Sequence, residues 1–420
     1  MRRRLLVLTA TLLAATAGLI ASLVTTPGAP EAQAQPALGR ADASSVPAQD
    51  LAAPLDQFGL ELLRLQAERS PGGNVVVSPF SLHAVLSMVL NGAEGETALE
   101  MRRALDLEDL AGDVNQGWAD LITLAQAGKE HEVRVADSLW LRDGVALRQP
   151  FLDTNRDYFA AEMRELANDP DEAAAAINDW VEDHTAGRIK DIVQPSSFND
   201  QTILALFNTI HLKAKWEHFE DDGTKDEPFT LAGGEKTDVP MMHAFTLEAP
   251  VTRSERYDAV ALSTKGPVTV WVAVPKKGVG AEQLLREFDA RQLEALYRDA
   301  RVATGSLALP RFTTTYEAQD LEADLAAMGM PRAFSPNDAE FAGIADVGPR
   351  RVFISKVVQR TFVEFNEEGV EAAAASGAIM EDTGMPLVEF DIRADRPFLF
   401  VLTEKETQAP LFMGLVRDPR

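Results

Sequence analysis

The feature that most constrains this chain is a run of very small side chains near its C-terminal end. Residues 367–377 read Glu-Glu-Gly-Val-Glu-Ala-Ala-Ala-Ala-Ser-Gly, and an alternating, strand-like segment (357–365) comes just before them. A polar segment with a proline, residues 381–386, follows. An alanine run alone usually predicts a helix. A strand, a small-residue run and an exposed loop in this order suit a segment that slides between two existing strands, because small side chains clash little.

The residues of this run also alternate as an inserted strand requires. Successive side chains of a strand point to opposite faces of the sheet. If Val370 faces the core, positions 372, 374, 376, 378 and 380 share its face, and none of them is charged. Glu371 then falls on the solvent face. Twelve residues would span roughly 40 Å at ~3.3 Å per residue. Each new ladder bond contributes only ~1 kcal/mol net, so insertion needs many bonds together with burial.

The body of the chain reads as one large domain of the α+β class. Its 420 residues are enough for one large domain or for two to three average ones, and the pattern continues from Leu51 to the end without a linker or repeat. Helices and strands occur in blocks without strict βαβ alternation. We predict helices at 55–67, 79–90 (with Ser78 as N-cap) and 281–298, and strands at 74–77, 202–213, 268–275, 398–402 and 411–416, the last two as an antiparallel pair.

Charge and residue types exclude several classes of function. The formal charge is 40 − 65 = −25, which argues against nucleic acid, heparin-like polyanions and anionic membranes as main partners. The chain has no cysteine, so disulfides and thiolate chemistry are excluded. The six histidines show no metal-ligand spacing, and the chain contains no G-x-S-x-G, H-E-x-x-H or P-loop motif. We therefore expect no enzyme, no metal and no cofactor.

The N-terminal residues have the order of a secretory signal. Arg2, Arg3 and Arg4 precede an apolar run from Leu5 to Val24, and Ala-Gln-Ala follows at 32–34. We predict a signal peptide at 1–34 and a secreted, extracellular protein. The alternative is an uncleaved membrane anchor, since twenty apolar or small residues can span a bilayer. Residues 35–50 are rich in Ala, Pro and Ser and are predicted to be a flexible lead-in.

The small-residue run, with its flanks, resembles the reactive-centre loop of the serpins, a family of serine protease inhibitors. The family pattern is Glu-Glu-Gly-Thr-Glu followed by alanines, and this chain departs from it by Val370 in place of Thr. The resemblance covers about 370 residues, from Leu51 to the end. It rests on separated segments in the family's order, at 74–81 (NVVVSPFS), 90–100 (LNGAEGETALE), 177–189 (INDW with Thr185 and Ile189), 208–216 (NTIHLKAKW), 239–242 (VPMM), 309–312 (LPRF) and 410–414 (PLFMG).

The resemblance implies three β-sheets, about nine helices and an exposed reactive-centre loop at about 367–390. In the family, a protease cleaves this loop and is trapped as an acyl-enzyme, while the freed hinge inserts as a new strand of the main sheet. Insertion of the serpin loop is an established case of strand addition and of loop-driven switching. The hinge residues that the resemblance implies are Glu367, Gly369, Val370, Glu371, Ala372, Ala373, Ala374 and Ala375.

A second group of residues matches the region where the strands of the family's main sheet part. Ser78, Ser81 and Asn208 match its small polar positions, and Trp216 matches the tryptophan where insertion begins. Where the family usually has His, this chain has Gln359, which can donate and accept but does not titrate. The alternatives are an N-cap for Ser78 and plain core positions for Asn208 and Trp216.

The reactive bond follows from counting along the loop. The family's spacing from Gly369 places it at Thr383–Gly384, whereas counting back from Arg396 places it about three residues later, so the distal loop carries an insertion. With Thr383 as the specificity residue, the implied partner is a serine protease that accepts small side chains, elastase- or subtilisin-like rather than trypsin-like. No Lys or Arg lies between Arg360 and Arg393. Glu381 and Asp382 leave room for an acid-directed protease.

Two other functions remain open at this stage. Some members of the family are non-inhibitory carriers or chaperones, and they typically have bulky, charged or proline residues in the hinge, which this hinge lacks. The alanine run is otherwise a surface helix or a tether. The family's usual state is a monomer, and no basic cluster suggests acceleration by heparin. Trapping of a protease in a stable complex would separate the inhibitor from the carrier.

Overall fold

A computed structural model of the chain describes residues 45–127, 131–185, 187, 189–199, 202–216, 218–219, 223–348, 351–370 and 388–420. All of them fall within one compact unit, Pro36–Arg420. The signal peptide predicted at 1–34 and most of the lead-in lie outside the described residues. The end of the lead-in is described: Val46 and Ala48 are buried, and the Val46 amide donates to the Asp113 carbonyl over 3.0 Å. Residues 46–48, which we predicted as part of the flexible lead-in, are therefore packed against the body of the chain.

Nine α-helices occur among the described residues, as the family resemblance implied. They are α1 (Ala52–Arg69), α2 (Pro79–Leu90), α3 (Gly95–Ala104), α4 (Val114–Ala125), α5 (Gln149–Phe159), α6 (Pro170–His184), α7 (Ala281–Glu287), α8 (Ala290–Arg298) and α9 (Leu321–Ala327).

Local sequence signals explain where several helices begin. Ser78 is the N-cap of α2, and its hydroxyl accepts from the Ser81 amide, with proline at the first helical position. The single helix that we predicted over 281–298 is wrong. Phe288 is extended and ends α7, and Asp289 then starts α8 with a capping box to Gln292. The reciprocal side-chain bonds of a capping box satisfy two orphan amides, which favours a new start over one continuous helix.

Fifteen strands are described. They are β1 (Val75–Val77), β2 (His131–Arg142), β3 (Glu162–Leu166), β4 (Leu204–Lys215), β5 (Lys225–Thr230), β6 (Lys236–Arg253), β7 (Tyr257–Ser263), β8 (Val268–Pro275), β9 (Arg301–Pro310), β10 (Phe312–Glu317), β11 (Ile354–Asn366), β12 (Gly369–Val370), β13 (Phe390–Arg393), β14 (Phe398–Glu404) and β15 (Pro410–Val416).

Hydrogen bonding joins these strands into two sheets. The larger has nine strands in the order β1-β15-β14-β8-β7-β6-β9-β13, with β5 paired to β6, and the smaller has six in the order β10-β11-β12-β4-β2-β3. The family implies three sheets, and two of these are joined here in the nine-stranded sheet. The joining strand is the 18-residue β6, which pairs with β7 at one end and with β5 and β9 along the rest of its length.

The six-stranded sheet is covered on both faces. One face packs on the main hydrophobic core, which includes nearly all of α2. The other face packs under α6 and the segment that follows it, in a second cluster to which Trp140, Phe207 and Val358 contribute from β2, β4 and β11. Burial on both faces places the sheet at the centre of this unit. Among the described residues, no helix is both long and apolar enough to cross a membrane.

Candidate functional site: the junction of the central strands and the proximal hinge

The two central strands of the six-stranded sheet, β4 and β11, run parallel and pair directly over most of their length. Their register partners run from Ile354 with Leu204 to Phe362 with His211. Parallel neighbours in a sheet need a crossover connection, and here about 140 residues separate the two strands in sequence. The two strands therefore come from distant parts of the chain, and we call the line along which they pair the junction.

A buried hydrogen-bond network lies under this junction. Gln359 of β11 and Asn208 of β4 are register partners, and the Gln359 amide nitrogen donates to Asn208 Oδ1 over 3.0 Å and to the Ser78 carbonyl over 2.9 Å. The Ser78 amide donates to Gln359 Oε1 over 3.0 Å. Ser81 Oγ donates to Asn208 Oδ1 over 2.6 Å. All four side chains are at most 1% exposed.

The start of α2 holds this network in place. The Ser78 hydroxyl accepts from the Ser81 amide over 3.2 Å and donates to the Leu411 carbonyl over 2.8 Å, and its oxygen lies 2.9 Å from the Ser81 hydroxyl oxygen. Ser78 is therefore both the N-cap and a member of the network, so the two interpretations offered from sequence are compatible. Amides and hydroxyls form all of these bonds, and neither group titrates in the ordinary pH range.

At one end of the junction, a two-residue strand lies between β11 and β4. After β11 the chain turns and runs back as β12, where Val370 pairs with Phe365 of β11 and with Ala214 of β4. Val370 is 1% exposed and belongs to the main core. Beyond β12, the two central strands pair directly. Continuing β12 by further residues would therefore require β4 and β11 to separate, beginning at this end.

Trp216 fixes the turn that precedes β12. Its indole nitrogen donates to the carbonyls of Asn366 and Glu367 over 3.0 and 3.1 Å. Its backbone amide donates to the Glu368 carbonyl over 3.1 Å. The ring packs against Phe365, with centroids 5.7 Å apart. Gly369 follows with φ of +147°, a backbone conformation that side chains disfavour.

Thr224 and Arg311 also hold this turn, and neither was predicted from the sequence to be a site residue. The Glu367 side chain is only 7% exposed, and Oε1 accepts from Thr224 Oγ1 over 2.6 Å and lies 3.4 Å from an Arg311 guanidinium nitrogen. A buried carboxylate is stable only when it is paired or hydrogen-bonded. Arg311 belongs to the family-like LPRF segment at 309–312, which is the only feature of the sequence that could have pointed to it. No sequence motif points to Thr224.

The remaining predicted site residues fall outside the described part of the chain. Glu371, the alanines at 372–375, and the reactive bond at Thr383 and Gly384 belong to residues 371–387. The described chain resumes at Val388, and β13 then pairs in parallel with β9 in the nine-stranded sheet. The two described ends of the loop therefore belong to different sheets.

Comparisons with known proteins agree with this geometry. Residues 53–419 match the sequence model of the family Serpin (serine protease inhibitor). The leukocyte elastase inhibitor of Bos taurus is 30% identical over 391 residues, which cover 88% of this chain and 100% of that protein. The native-state crystal structure of tengpin, a thermophilic serpin, matches with a TM-score of 0.80 at 24% identity, covering 91% of this chain and 96% of tengpin. Human thyroxine-binding globulin in complex with thyroxine matches with a TM-score of 0.78 at 24% identity, covering 89% and 99%.

Proposed function

This chain belongs to the serpin family, and from that premise we propose that it is a secreted inhibitor that traps serine proteases irreversibly by inserting its cleaved loop into the six-stranded sheet. Serpins are protease inhibitors that target serine proteases, and they are not enzymes. The observation that carries the proposal is β12. Val370 already pairs with both central strands, while the next stretch of those strands pairs directly and is joined by Gln359 and Asn208.

The mechanism requires β4 and β11 to exchange their mutual pairing for pairing with the inserted strand. The Gln359–Asn208 bond would break, and a buried polar group left without a partner costs ~1–3 kcal/mol. The inserted strand offsets this cost because it bonds to β4 on one side and to β11 on the other, at ~1 kcal/mol net per bond. Because two ladders replace the direct β4–β11 ladder that is lost, about ten inserted residues add roughly one net ladder of bonds, and this gain together with burial must exceed the cost of ordering the loop.

The proposed hinge can enter without burying a charge. Val370 faces the main core, so residues 372, 374, 376, 378 and 380 are expected to follow on that face. These are alanine, serine and methionine residues in the sequence. Insertion is expected to stop before Asp382 or to place it at the wet end of the sheet, because an unpaired buried carboxylate is costly.

The proposed target is a serine protease that accepts small residues. Counting from the hinge makes Thr383–Gly384 the reactive bond. The elastase inhibitor among the relatives supports the same preference by analogy. Elastase- and subtilisin-like enzymes are therefore preferred to trypsin-like ones. The net charge of −25 supports an inhibitor that acts without heparin or nucleic acid, and we propose a monomer.

The carrier alternative needs a largely apolar binding cavity, whereas the ligand-sized cavities among the described residues carry many charged side chains. One of about 860 Å³ is lined by Arg311, Glu364 and Glu367 among others, and one of about 430 Å³ by Arg148, Glu340 and Arg351 among others. Thyroxine-binding globulin shares the fold and binds thyroxine, but a likeness at 24% identity is a likeness of fold. The apolar cavity between α1, α8 and the β14–β15 pair, lined by Leu60, Leu296 and Phe400 among others, has a volume of about 20 Å³. Sites for small organic ligands are usually ~300–1,000 Å³.

A panel of serine proteases tests the proposal directly. The protein, without residues 1–34, is mixed with each protease in equimolar amounts, and the products are separated under denaturing conditions. We expect a 1:1 complex that resists denaturation with at least one small-residue-preferring protease, and mass spectrometry of the released C-terminal peptide to begin at Gly384. Cleavage of the loop by the whole panel without any complex would contradict inhibition. Secretion is tested separately by the N-terminal sequence of the protein recovered from the medium of its producing cells.

A further inference from the structure

Helix α6 and the segment after it cover the junction through which the loop is proposed to enter. Phe207 of β4 and Val358 of β11 are register partners across the junction. Both are buried in the cluster that α6 forms on the outer face of the sheet, together with Ile177 of the helix and Ile192 of the segment that follows it. A strand that separated Phe207 from Val358 would divide this cluster. The cover must therefore lift, at least in part, while the loop inserts.

The C-terminal end of helix α6 is held to the edge of the sheet by one carboxylate. Glu162, on edge strand β3, accepts from the Trp180 indole nitrogen over 2.8 Å and from His184 Nε2 over 3.0 Å. Trp180 and His184 stack, with ring centroids 4.4 Å apart. His184 is the last residue of α6, so the fastening lies directly before the segment that crosses the junction. We call Glu162, Trp180 and His184 the α6 clasp.

The clasp is complete only when His184 carries two protons. Its Nε2 faces the Glu162 carboxylate, and its Nδ1 lies 2.7 Å from the Trp180 carbonyl. Both partners are acceptors, so each ring nitrogen must donate. A neutral imidazole has one N–H and can make only one of these bonds. Loss of the proton therefore removes one bond and also the charge attraction to Glu162.

Two charged groups of β3 act on His184, with opposite signs. Glu162 raises the pKa of the imidazole, chiefly through their hydrogen bond, whereas Arg164 opposes protonation. Arg164 also donates to Glu162 over 2.9 Å and lies over the Trp140 ring, 5.7 Å from its centroid. The hydrogen bond from His184 is the main cause that lowers the pKa of Glu162 to about 2. Below the pKa of His184 the pair is charged, and the clasp weakens as the pH rises through that value.

We propose that the α6 clasp is a proton-dependent fastener that slows the lifting of helix α6, and therefore the entry of the cleaved loop, when His184 is protonated. This regulatory role rests on the proposed function, since it concerns the rate of the same insertion. The two side chains are 32% and 34% exposed, and half-exposed ion pairs contribute modestly. The expected effect is roughly two- to fivefold in rate, the range for such pairs.

Hydrogen exchange tests the clasp without any protease. Amide exchange over residues 178–184 is measured from pH 6.0 to 8.5 and corrected for intrinsic exchange. In the wild-type protein we expect the opening constant to rise roughly two- to fivefold with pH. The variant His184→Gln should abolish this dependence, and Glu162→Gln should do the same. His243→Gln is the matched control, because His243 pairs with Glu227 over 2.9 Å in the other sheet, and it should retain the wild-type profile. A pH dependence that survives in His184→Gln, or is absent from the wild type, would overturn the proposal.

Protease trapping then tests the link to insertion. The fraction of cleaved inhibitor that ends in complex is compared between His184→Gln and wild type with one protease at each pH, so that the pH dependence of the protease itself cancels. The variant should trap more efficiently than the wild type at pH 6.0, and the two should agree at pH 8.5. Equal trapping at pH 6.0 would refute the link. If neither protein traps any protease, the proposed function fails, while the exchange result still decides the clasp.

Discussion

The Gln359 side chain donates to Asn208 Oδ1 over 3.0 Å, and this bond joins the two strands that loop insertion must separate. The same amide nitrogen also donates to the Ser78 carbonyl over 2.9 Å, so one side chain ties both central strands to the start of α2. The bond is buried, and replacing it with bonds to water is not possible without opening the sheet. Stability of the native sheet and the barrier to insertion therefore depend on the same residue.

We expect Gln359→Ala to destabilise the native protein. The substitution leaves the buried Ser78 amide without its acceptor and removes one donor from the Ser78 carbonyl and one from Asn208 Oδ1, which costs about 2–4 kcal/mol with the lost packing. The measurement is the free energy of unfolding in guanidinium chloride. Lys356→Ala, on the same strand but part-exposed, is the control and should change it by less than about 1 kcal/mol. Equal stability of wild type and Gln359→Ala would show that the network carries no net energy.

Trp216→Phe should loosen the turn before β12. The phenyl ring retains most of the packing against Phe365 but loses both indole bonds, to Asn366 and Glu367. We expect the amides of Gly369 and Val370 to exchange about fivefold faster, since the single indole N–H that both carbonyls share is worth ~1 kcal/mol net. Trp271→Phe, in the nine-stranded sheet, is the control. Unchanged exchange at β12 would mean that strand pairing alone holds the hinge.

Ala374→Glu should convert the inhibitor into a substrate. In the proposed inserted strand, position 374 would share the face of Val370, so its charge would enter the core, whereas Ala373→Glu would place the same charge on the opposite face. We expect the first variant to be cleaved with little trapping and the second to trap nearly as well as wild type. Both should unfold within about 0.5 kcal/mol of wild type, because the proposed mechanism brings this charge into the sheet only after cleavage. Similar trapping by the two variants would contradict the alternation.

Cleavage of the loop alone should stabilise the protein. If about ten new ladder bonds form at ~1 kcal/mol each, the midpoint of thermal unfolding should rise by roughly 20 °C, at about 2 °C per kcal/mol for a large domain. The measurement is calorimetry before and after nicking by a protease that is not trapped. Nicked Ala374→Glu should rise much less. A melting curve that does not move after nicking would argue that the loop stays outside the sheet.

Acid should destabilise the native state through His83. Burial lowers the pKa of its imidazole to about 4, and the ring lies between Phe58 and Trp118, with Nε2 2.9 Å from the Leu105 carbonyl. The unfolded chain takes up a proton near pH 6.5, so between about pH 6.5 and 4 it binds more protons than the native state. The free energy of unfolding therefore decreases as the pH is lowered through this range. The loss reaches about 3 kcal/mol at most.

The variant His83→Gln isolates this effect. Glutamine retains a donor for the Leu105 carbonyl and does not titrate, so the variant should lose less stability than wild type between pH 6.5 and 4. The difference between the two proteins is the quantity to compare, because the His184–Glu162 pair has the opposite sign over part of this range. His218→Gln is the control, at a part-buried histidine outside this core whose Nε2 lies 2.8 Å from the Ser263 carbonyl, and it should follow the wild-type curve more closely. Parallel curves for wild type and His83→Gln would exclude His83 as the cause.

Local signals and family motifs account for much of the fold. The α+β class, the bounds of β8 and the antiparallel β14–β15 pair follow from patterns along the sequence, and the nine helices among the described residues follow from the family resemblance. The single helix predicted over 281–298 is two helices in the structure. The apolar residues keep helical spacing through Phe288, so the spacing does not reveal the break, which is caused by the capping box at Asp289. The membership of the family was recognisable because its motifs occur in order over most of the chain.

The contacts of the site were less accessible from the sequence. Ser78, Ser81, Asn208 and Gln359 were singled out by resemblance, and the structure brings all four together. Thr224 and Arg311, which hold Glu367, lie far from it in sequence, and no local pattern reveals a pairing that depends on where β5 and β10 begin. The same is true of the α6 clasp, whose members come from a strand and from the end of a helix. The roles assigned to the hinge beyond Val370 stay predictions.

The two residues of β12 have a consequence for how this loop can evolve. Val370 is already paired with Phe365 on one side and Ala214 on the other. Any strand that continues from Val370 therefore starts in this register, and a shift of one residue would first require these two pairings to break. If the loop inserts as proposed, the number of residues from Val370 to the reactive bond sets the length of the inserted strand. Deleting one alanine would turn Glu381 inward and shorten that strand by ~3.3 Å, whereas residues beyond the bond carry no such constraint. Loop length should thus vary among related sequences on the distal side only.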